Sequence, residues 1–295
     1  NLVEVCPTGV FTDKLFSEHY TRKWDLQAAP SVCVGCSVGC NTTPGERYGT
    51  LRRIVNRYNS EGNGYFLCDR GRFGWDHVNS EERINSPVAV SNGEFSDLND
   101  EGVQQLLADL KSGDAIAIGS PRASNESNYA LRCLVGVENF YAGVSDREHE
   151  VNKLMLQLHR DSAFNIPSVR DIANADAVLI VGEDVTNTAP RIALALRQSI
   201  RNKASELAAE NNIPGWQDAA VRELAQHNRS PLFILSNAAT RLDDVAVETT
   251  TGSYSDQARI AYAVANAIAG QSNDEFGLSE SQQSLVEDIS QALKS

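Results

Sequence analysis

Apolar runs alternate with amphipathic segments along most of the chain after Pro87, where the turn Ser91-Asn92-Gly93 marks a change of pattern. Short, bounded apolar runs are typical of strands buried in a parallel sheet. They occur at 115–119, 177–182 and 232–236. Amphipathic spacing predicts helices at about 100–111, 125–135, 146–161, 188–211, 217–227 and 255–269. The alternation predicts an α/β fold with a Rossmann-like layer.

The part of the chain before Pro87 has a different pattern, in which short β-like segments are separated by Gly and Asn turns. The predicted strands lie at 46–49, 51–58 and 65–68. We interpret this pattern as a small β-rich domain folded around a metal. The predicted domains are therefore 1–29, the tail of an upstream domain, 30–88, the metal domain, and 89–295, an incomplete α/β domain.

Four cysteines of the predicted metal domain have the spacing Cys-x2-Cys-x3-Cys-x27-Cys, and they are Cys33, Cys36, Cys40 and Cys68. A [4Fe-4S] cluster requires four thiolates around a body larger than one ion, and a single irregular loop can supply three of them. Gly35 lies where this loop must bend. Gly39 can supply a positive φ or a close approach to inorganic sulfide. We therefore interpret the four cysteines as the ligands of a [4Fe-4S] cluster.

Two other uses of these cysteines stay open. A zinc site prefers two separated CxxC pairs, and only Cys33 and Cys36 form such a pair. Six cysteines in 295 residues are few for a fold held together by disulfides. Of the others, Cys133 lies in an apolar helical stretch and is expected to be a buried, inert thiol, and Met155 is expected in the core.

Two predicted strand-to-helix turns, at 119–125 and 182–188, are places where a phosphate could bind. Neither has a GxGxxG or Walker sequence. Ser124 or Asn125 can cap the helix after the first turn, and Pro190 suits the first turn of the helix after the second. Ordinary capping therefore accounts for both turns, and we expect no bound nucleotide. The histidines have no ligand spacing, and we expect no catalytic residue.

Charge is distributed unevenly along the chain. Residues 1–83 contain equal numbers of basic and acidic side chains, so the net charge of −13 belongs to residues 84–295. This charge makes nucleic acid an unfavourable partner. Arginines surround the cysteine motif, and they either form a solvated face or raise the potential of an anionic cluster. They are Arg47, Arg52, Arg53, Arg57, Arg70 and Arg72.

The ends and the hydropathy of the chain lead to two further expectations. The chain starts at Asn1 without an initiator Met or a signal-like segment, and we expect a fragment of a longer protein. No apolar run approaches the about 18 residues of a membrane helix, so we expect contact with a membrane only through partners. Cys6 opens a Cys-Pro-x-Gly sequence of the kind that follows bacterial ferredoxin motifs. It is predicted to ligate a cluster whose other ligands precede Asn1.

In chain order, five motifs resemble the large iron–sulfur subunit of bacterial respiratory complex I, the NADH:quinone oxidoreductase. They are Cys6-Pro7, the four-cysteine motif, Asp69-Arg70-Gly71-Arg72, Gly119-Ser120-Pro121-Arg122-Ala123-Ser124-Asn125-Glu126 and Gly182-Glu183-Asp184-Val185-Thr186. The resemblance covers nearly all of residues 1–270. It implies further iron–sulfur clusters in an upstream ferredoxin-like region, whose tail would be residues 1–29.

The resemblance also implies a molybdopterin oxidoreductase type of fold after the cluster domain. That superfamily commonly has a Lys where Arg70 stands, and no Cys, Ser or selenocysteine stands out here as a molybdenum ligand. We therefore expect the fold to be retained without molybdopterin. The four cysteines would hold the extra [4Fe-4S] cluster of some bacterial members, away from the main electron path.

By the same resemblance, the partners would be other peripheral-arm subunits of a proton-pumping complex on the cytoplasmic face of the bacterial inner membrane. We expect no NADH, flavin or quinone site in this chain itself. Two alternatives stay open. One is the catalytic subunit of a molybdenum bis-pterin oxidoreductase, of the formate dehydrogenase or nitrate reductase type. The other is a zinc-stabilised interaction domain without redox activity.

Overall fold

The computed structural model describes residues 2–6, 8, 10–19, 21–111 and 115–294. Pro7 and Gly9 of the Cys-Pro-x-Gly sequence lie outside the described residues. The chain is a mixture of helices and strands, and it forms two compact units. Unit 1 combines the residues up to 74 with those from 167 onwards, and unit 2 is 75–166. The domain boundaries predicted from the sequence stay a prediction.

The first part of unit 1 contains an antiparallel sheet flanked by short helices. Its elements are α1 (Leu2–Val5), α2 (Lys14–Glu18), β1 (Gln27–Ala28), β2 (Ser31–Val32), β3 (Asn41–Arg47), β4 (Thr50–Asn56) and α3 (Asp69–Phe73). β3 pairs with β1, β2 and β4. Tyr48 and Gly49 connect β3 to β4 with φ angles of 55° and 76°, as a two-residue hairpin turn requires.

Two predictions for this part were wrong. Residues 65–68 were predicted as a strand, but they are irregular chain leading into α3. Their backbone follows a turn held by Asn63, which is fully buried and whose side chain accepts from the backbone of Asn41 and donates to the carbonyl of Arg57. Residues 48 and 49 were likewise predicted as the end of a strand, but they form the turn between β3 and β4.

Unit 2 contains short strands and longer helices. Its elements are α4 (Asp76–Asn79), β5 (Val88–Ser91), β6 (Glu94–Asp97), α5 (Asp100–Lys111), β7 (Ala117–Ile118), α6 (Asn125–Val135), β8 (Phe140–Tyr141) and α7 (Asp146–Arg160). The apolar run at 115–119 forms only β7, which pairs with β8. Cys133 is exposed, and Met155 is 49% exposed. The prediction that these two side chains are buried was therefore wrong.

The second part of unit 1 is built on a parallel sheet. Its elements are α8 (Val169–Ala173), β9 (Val178–Val181), α9 (Val185–Thr188), α10 (Pro190–Ser199), α11 (Asn202–Glu210), α12 (Asp218–Ala225), β10 (Leu232–Ser236), β11 (Glu248–Thr251), α13 (Tyr254–Ala269) and α14 (Glu280–Lys294). β10 lies between β9 and β11. In the described part of the chain, no helix is both long and apolar enough to cross a membrane.

β10 supplies both faces of the core because successive side chains of a strand point to opposite sides. Phe233 and Leu235 pack with buried residues of α13 and α14. Leu232 and Ile234 pack on the other face with residues of α10. Every residue of β10 is buried, so a continuous apolar run predicted this strand correctly.

The helix predicted at 188–211 is interrupted between α10 and α11. The carbonyl of Ile200 accepts a hydrogen bond from the backbone N–H of Ser230, 3.0 Å away. The hydroxyl of Ser230 in turn accepts from the backbone N–H of Lys203, 3.2 Å away. Ser230 thus bonds to two backbone groups at the junction of α10 and α11. A local sequence pattern does not reveal this contact, because Ser230 is distant along the chain.

The first part of unit 1 is tied together by an ion pair of low exposure. Glu4 accepts from Arg72 Nη2 at 2.7 Å and from the backbone N–H of Asn56 at 2.8 Å. The two charged side chains are only 10% and 14% exposed. Burial raises the pKa of Glu4, but Arg72, the N–H of Asn56 and the charge of Arg53 together lower the pKa below its usual value. Glu4 therefore connects α1 to α3 through Arg72 and to β4 through the N–H of Asn56.

Substitution of Glu4 by Gln is expected to destabilise the protein by about 1.5–3 kcal/mol at pH 7, because a charge-assisted hydrogen bond is lost. The folded pKa of Glu4 lies below its unfolded value of 4.5, so the stabilisation is present above that pH and is lost as the pH falls through the folded pKa. Urea unfolding of both proteins at a series of pH values measures this dependence.

The matched control is Glu150→Gln, because Glu150 pairs with Lys153 on an exposed surface, where ion pairs contribute little. Equal effects of the two substitutions would contradict the role given to Glu4. The same conclusion would follow if the difference between wild type and Glu4→Gln did not shrink in acid.

Candidate metal centre

The cysteine loop lies between β2 and β3, and Cys68 lies at the start of α3. Cys33 directly follows β2, Cys40 directly precedes β3, and the backbone N–H of Cys33 donates to the carbonyl of Cys40 at 2.8 Å. This hydrogen bond closes the loop at its base. Gly39 has a φ of 62°, which confirms the predicted positive φ. Cys40 is buried, whereas the other three side chains are half-buried.

The four thiols are close enough to influence one another electrostatically. Burial raises the pKa of Cys40 to about 11, and the negative charges of Cys33, Cys36 and Cys68 contribute to this rise, while Arg191 opposes it. The other three cysteines are therefore near enough to act on the buried Cys40 thiol, and their joint ligation of one centre stays a prediction. Because metal ligation needs thiolates, metal binding at Cys40 must displace a proton.

Glycines leave room for the sulfur of Cys33. The backbone N–H of Gly35 lies 3.4 Å from Cys33 Sγ and points to it. A Cβ added to Gly71 would lie 3.1 Å from Cys33 Sγ and 2.8 Å from Leu67 Cδ1. Leu67 is buried, so it has little space into which to move. The absence of a side chain at Gly71 is thus a condition for this arrangement of Cys33.

Arg70 connects the cysteine loop to α9. Its Nη1 donates to the carbonyl of Gly35 at 3.2 Å, and its Nη2 donates to the carbonyl of Asn187 at 2.8 Å. Of the arginines predicted to surround the motif, Arg57 also contacts this region, through the carbonyl of Ser31. Arg72 is directed to Glu4 instead. Arg57 and Arg70 thus donate hydrogen bonds to backbone carbonyls of the cysteine region, whereas Arg72 pairs with Glu4.

Arg191, in the first turn of α10, was not identified from the sequence. Its Nε donates to the carbonyl of Asn63 at 3.0 Å, and its guanidinium lies 5.6 Å from the ring centroid of Phe66. Its Nη1 is buried and has no hydrogen-bond acceptor in the described part of the protein. A buried donor of this kind fits an acceptor that the polypeptide itself does not supply. No sequence signal links this helical residue to the distant cysteines.

Other candidate features have local partners. Cys6 Sγ lies 3.5 Å from Thr8 Oγ1, and its role as a cluster ligand stays a prediction. At the first predicted phosphate turn, Ser124 caps α6 by accepting from the backbone N–H of Ser127. At the second, Asp184 caps α9 by accepting from the backbone N–H of Thr186. The predicted cap at Ser124 and the predicted place of Pro190 in the first turn of a helix are confirmed, and the prediction that the two turns bind no nucleotide stays a prediction. Among the described residues, no group of three or more His, Cys, Asp or Glu side chains is placed to hold a single metal ion.

Residues 26–80 match the family model of the molybdopterin oxidoreductase Fe4S4 domain. All four cysteines of the motif lie inside this range. This stretch is therefore similar to an iron–sulfur domain of the molybdopterin oxidoreductase class, and a domain of this class indicates a [4Fe-4S] cluster. The mixed helix and strand structure agrees with the predicted α/β class at this level.

Three relatives, each named as the G subunit of an NADH-quinone oxidoreductase, are 50% identical to this chain. They are those of Escherichia coli over 295 residues, Pseudomonas fluorescens over 293 residues and Yersinia pestis over 295 residues. The alignments cover 99% of this chain but 32% of each relative, so the chain spans about a third of their length. The resemblance to the large iron–sulfur subunit of the NADH:quinone oxidoreductase is thereby confirmed.

Substitution of Gly71 by Ala is expected to reduce the iron content of the purified protein. The added Cβ would press on Cys33 Sγ and Leu67 Cδ1, and overpacking of this kind costs about 1–3 kcal/mol. Iron and sulfide analysis after anaerobic purification measures the effect. The control is Gly215→Ala, because a Cβ at Gly215 meets nothing within 4 Å. Full iron occupancy in Gly71→Ala would show that the Gly71 contact is unimportant for the centre.

Proposed function

We propose that this chain binds one [4Fe-4S] cluster through Cys33, Cys36, Cys40 and Cys68. The observation that carries the proposal is the coincidence of these cysteines with the matched Fe4S4 domain, together with the mutual effect of their charges. Thiolates are the ligands that iron–sulfur clusters use. The buried Nη1 of Arg191 and the N–H of Gly35 are donors suited to an anionic cluster.

The chain acts as part of the large iron–sulfur subunit of an NADH:quinone oxidoreductase, in the peripheral arm of a proton-pumping respiratory complex. The supporting observation is the 50% identity over 99% of this chain to the relatives of that name. Other peripheral-arm subunits are its partners, and the cytoplasmic face of the bacterial inner membrane is its location. Cys6 ligates a further cluster of the same subunit. The residues from 89 onwards belong to a Rossmann-like domain of the molybdopterin oxidoreductase type, which works without the pterin.

The cluster serves as a scaffold more than as a necessary station for electrons. In residues 26–74 the buried apolar side chains are Cys40 and Leu67 alone, whereas the buried apolar clusters of the described residues come from the later part of unit 1. A segment with so little apolar core depends on metal ligation for its folding free energy. Arg70 donates to the carbonyls of Gly35 in the cysteine loop and Asn187 in α9. A loop ordered by the cluster therefore also helps to hold α9 in place.

Substitution of Cys36 by Ala is expected to abolish the [4Fe-4S] signal and to expose residues 30–85 to protease, while the parallel-sheet part stays folded. Wild type is expected to contain about four iron atoms per chain and to give an EPR signal after reduction. Limited proteolysis with mass spectrometry identifies the cleaved segment. Cys133→Ala is the control, because Cys133 is exposed and outside the centre. One zinc and no iron per wild-type chain would refute the cluster.

In the assembled complex, Cys36→Ala is expected to lower the yield of complex more than the turnover of each complex. The reason is that a scaffold cluster supports assembly without carrying the main electron flow. NADH:quinone activity normalised to intact complex measures turnover, and native gels measure yield. Near-total loss of normalised activity in a stable, fully assembled complex would place the cluster on the obligatory electron route. Molybdenum in the purified complex would instead support a molybdenum enzyme.

A further inference from the structure

Arg191 is held in a fixed orientation beside the cysteine loop. Its Nε donates to the carbonyl of Asn63, and Asn63 is fully buried and hydrogen-bonded to the backbone of Asn41, next to Cys40. The ring of Phe66 lies under the guanidinium. A planar guanidinium anchored at Nε and supported by an aromatic face has little rotational freedom. The direction of the remaining N–H groups is therefore set by the fold.

The anchored guanidinium has a donor that the polypeptide does not satisfy. Nη1 is buried and has no acceptor among the described residues. Among the residues that the structure describes, no carboxylate forms an ion pair with Arg191, whereas Arg72 pairs with Glu4 and Arg197 pairs with Asp244. A buried, charged donor without an acceptor is unfavourable and calls for an explanation. A bound group with acceptor atoms provides that explanation.

Two hydrogen bonds place Arg191 on the Cys40 side of the loop, because Arg191 donates to the carbonyl of Asn63 and the side chain of Asn63 accepts from the N–H of Asn41. The charge of Arg191 acts on the thiol of Cys40, and the charge of Cys40 acts in return on the guanidinium. Arg70 is not equivalent, because its two terminal nitrogens donate to the carbonyls of Gly35 and Asn187. Arg191 thus combines a buried donor that has no acceptor among the described residues with an electrostatic effect on the predicted ligand Cys40.

We propose that Arg191 tunes the cluster: its Nη1 donates a hydrogen bond to a sulfur on the Cys40 side, and its positive charge raises the reduction potential. This inference rests on the proposed [4Fe-4S] cluster. On reduction the cluster takes up one electron from a chemical reductant, and no bond to the protein forms or breaks. The added negative charge is stabilised by a nearby cation and by hydrogen bonds to sulfur.

The test is a redox titration of the anaerobically purified chain, with dithionite as reductant and EPR as readout. Arg191→Met removes the charge and the donor, and it is expected to lower the equilibrium constant for reduction at least tenfold, a shift of about 59 mV to more negative potential. Arg191→Lys keeps a charge and is expected to lie between Met and wild type. Arg222→Gln removes an exposed cation paired with Asp218 and is expected to leave the potential unchanged.

A spectroscopic measurement keeps the test decisive even if Arg191→Met loses its cluster. In protein labelled with ¹⁵N-arginine, the reduced wild-type cluster is expected to show hyperfine coupling to guanidinium nitrogen. Arg191→Lys is expected to lose this coupling, and Arg222→Gln to keep it. Absence of the coupling in iron-loaded wild type, its persistence in Arg191→Lys, or an unchanged potential in iron-loaded Arg191→Met would overturn the inference. Wild-type protein without iron would overturn the proposed cluster itself.

Discussion

The burial of the Cys40 thiol beside three further cysteines is the constraint on which the first part of unit 1 depends. Burial raises the pKa of Cys40 to about 11, and the negative charges of the other three cysteines add to this rise, so Cys40 favours its protonated form at neutral pH. A cationic iron–sulfur core would favour the thiolate form instead, because cysteines bind metal only after they lose their protons. Gly71 leaves room for the Cys33 sulfur, Arg70 holds the loop through the carbonyl of Gly35, and the charge of Arg191 opposes the rise in the pKa of Cys40.

Unit 1 thus combines two sources of stability. The parallel sheet buries Leu232, Ile234 and the rest of β10 between helices on both faces, which stabilises it through the hydrophobic effect. The antiparallel sheet has few buried apolar side chains and relies on polar contacts such as those of Asn63 and Glu4. Polar contacts fix geometry more than they add net stability, and this geometry suits a metal site.

Sequence reasoning succeeded where the signal was local. The positive φ of Gly39 and the apolar run of β10 each depend on neighbouring residues. It failed where distant groups decide the outcome. Ser230 uses the hydrogen-bonding capacity at the junction of α10 and α11, and β11, with the polar sequence Glu-Thr-Thr-Thr, is a strand because it pairs with β10. Arg191 was missed for the same reason, since its relation to Cys40 exists only after folding.

The bridge made by Arg70 has a consequence for the order of events during synthesis. Translation proceeds from the N-terminus, and Cys68 leaves the ribosome well before Asn187, whose carbonyl accepts from Arg70, and before Arg191. The loop is therefore made before the groups that complete its surroundings exist. A machinery that inserts iron and sulfide would meet the loop early without these groups and late with them. Completion of α9 and α10 consequently adds the contacts of Arg70 and Arg191 only after all four cysteines have been synthesised.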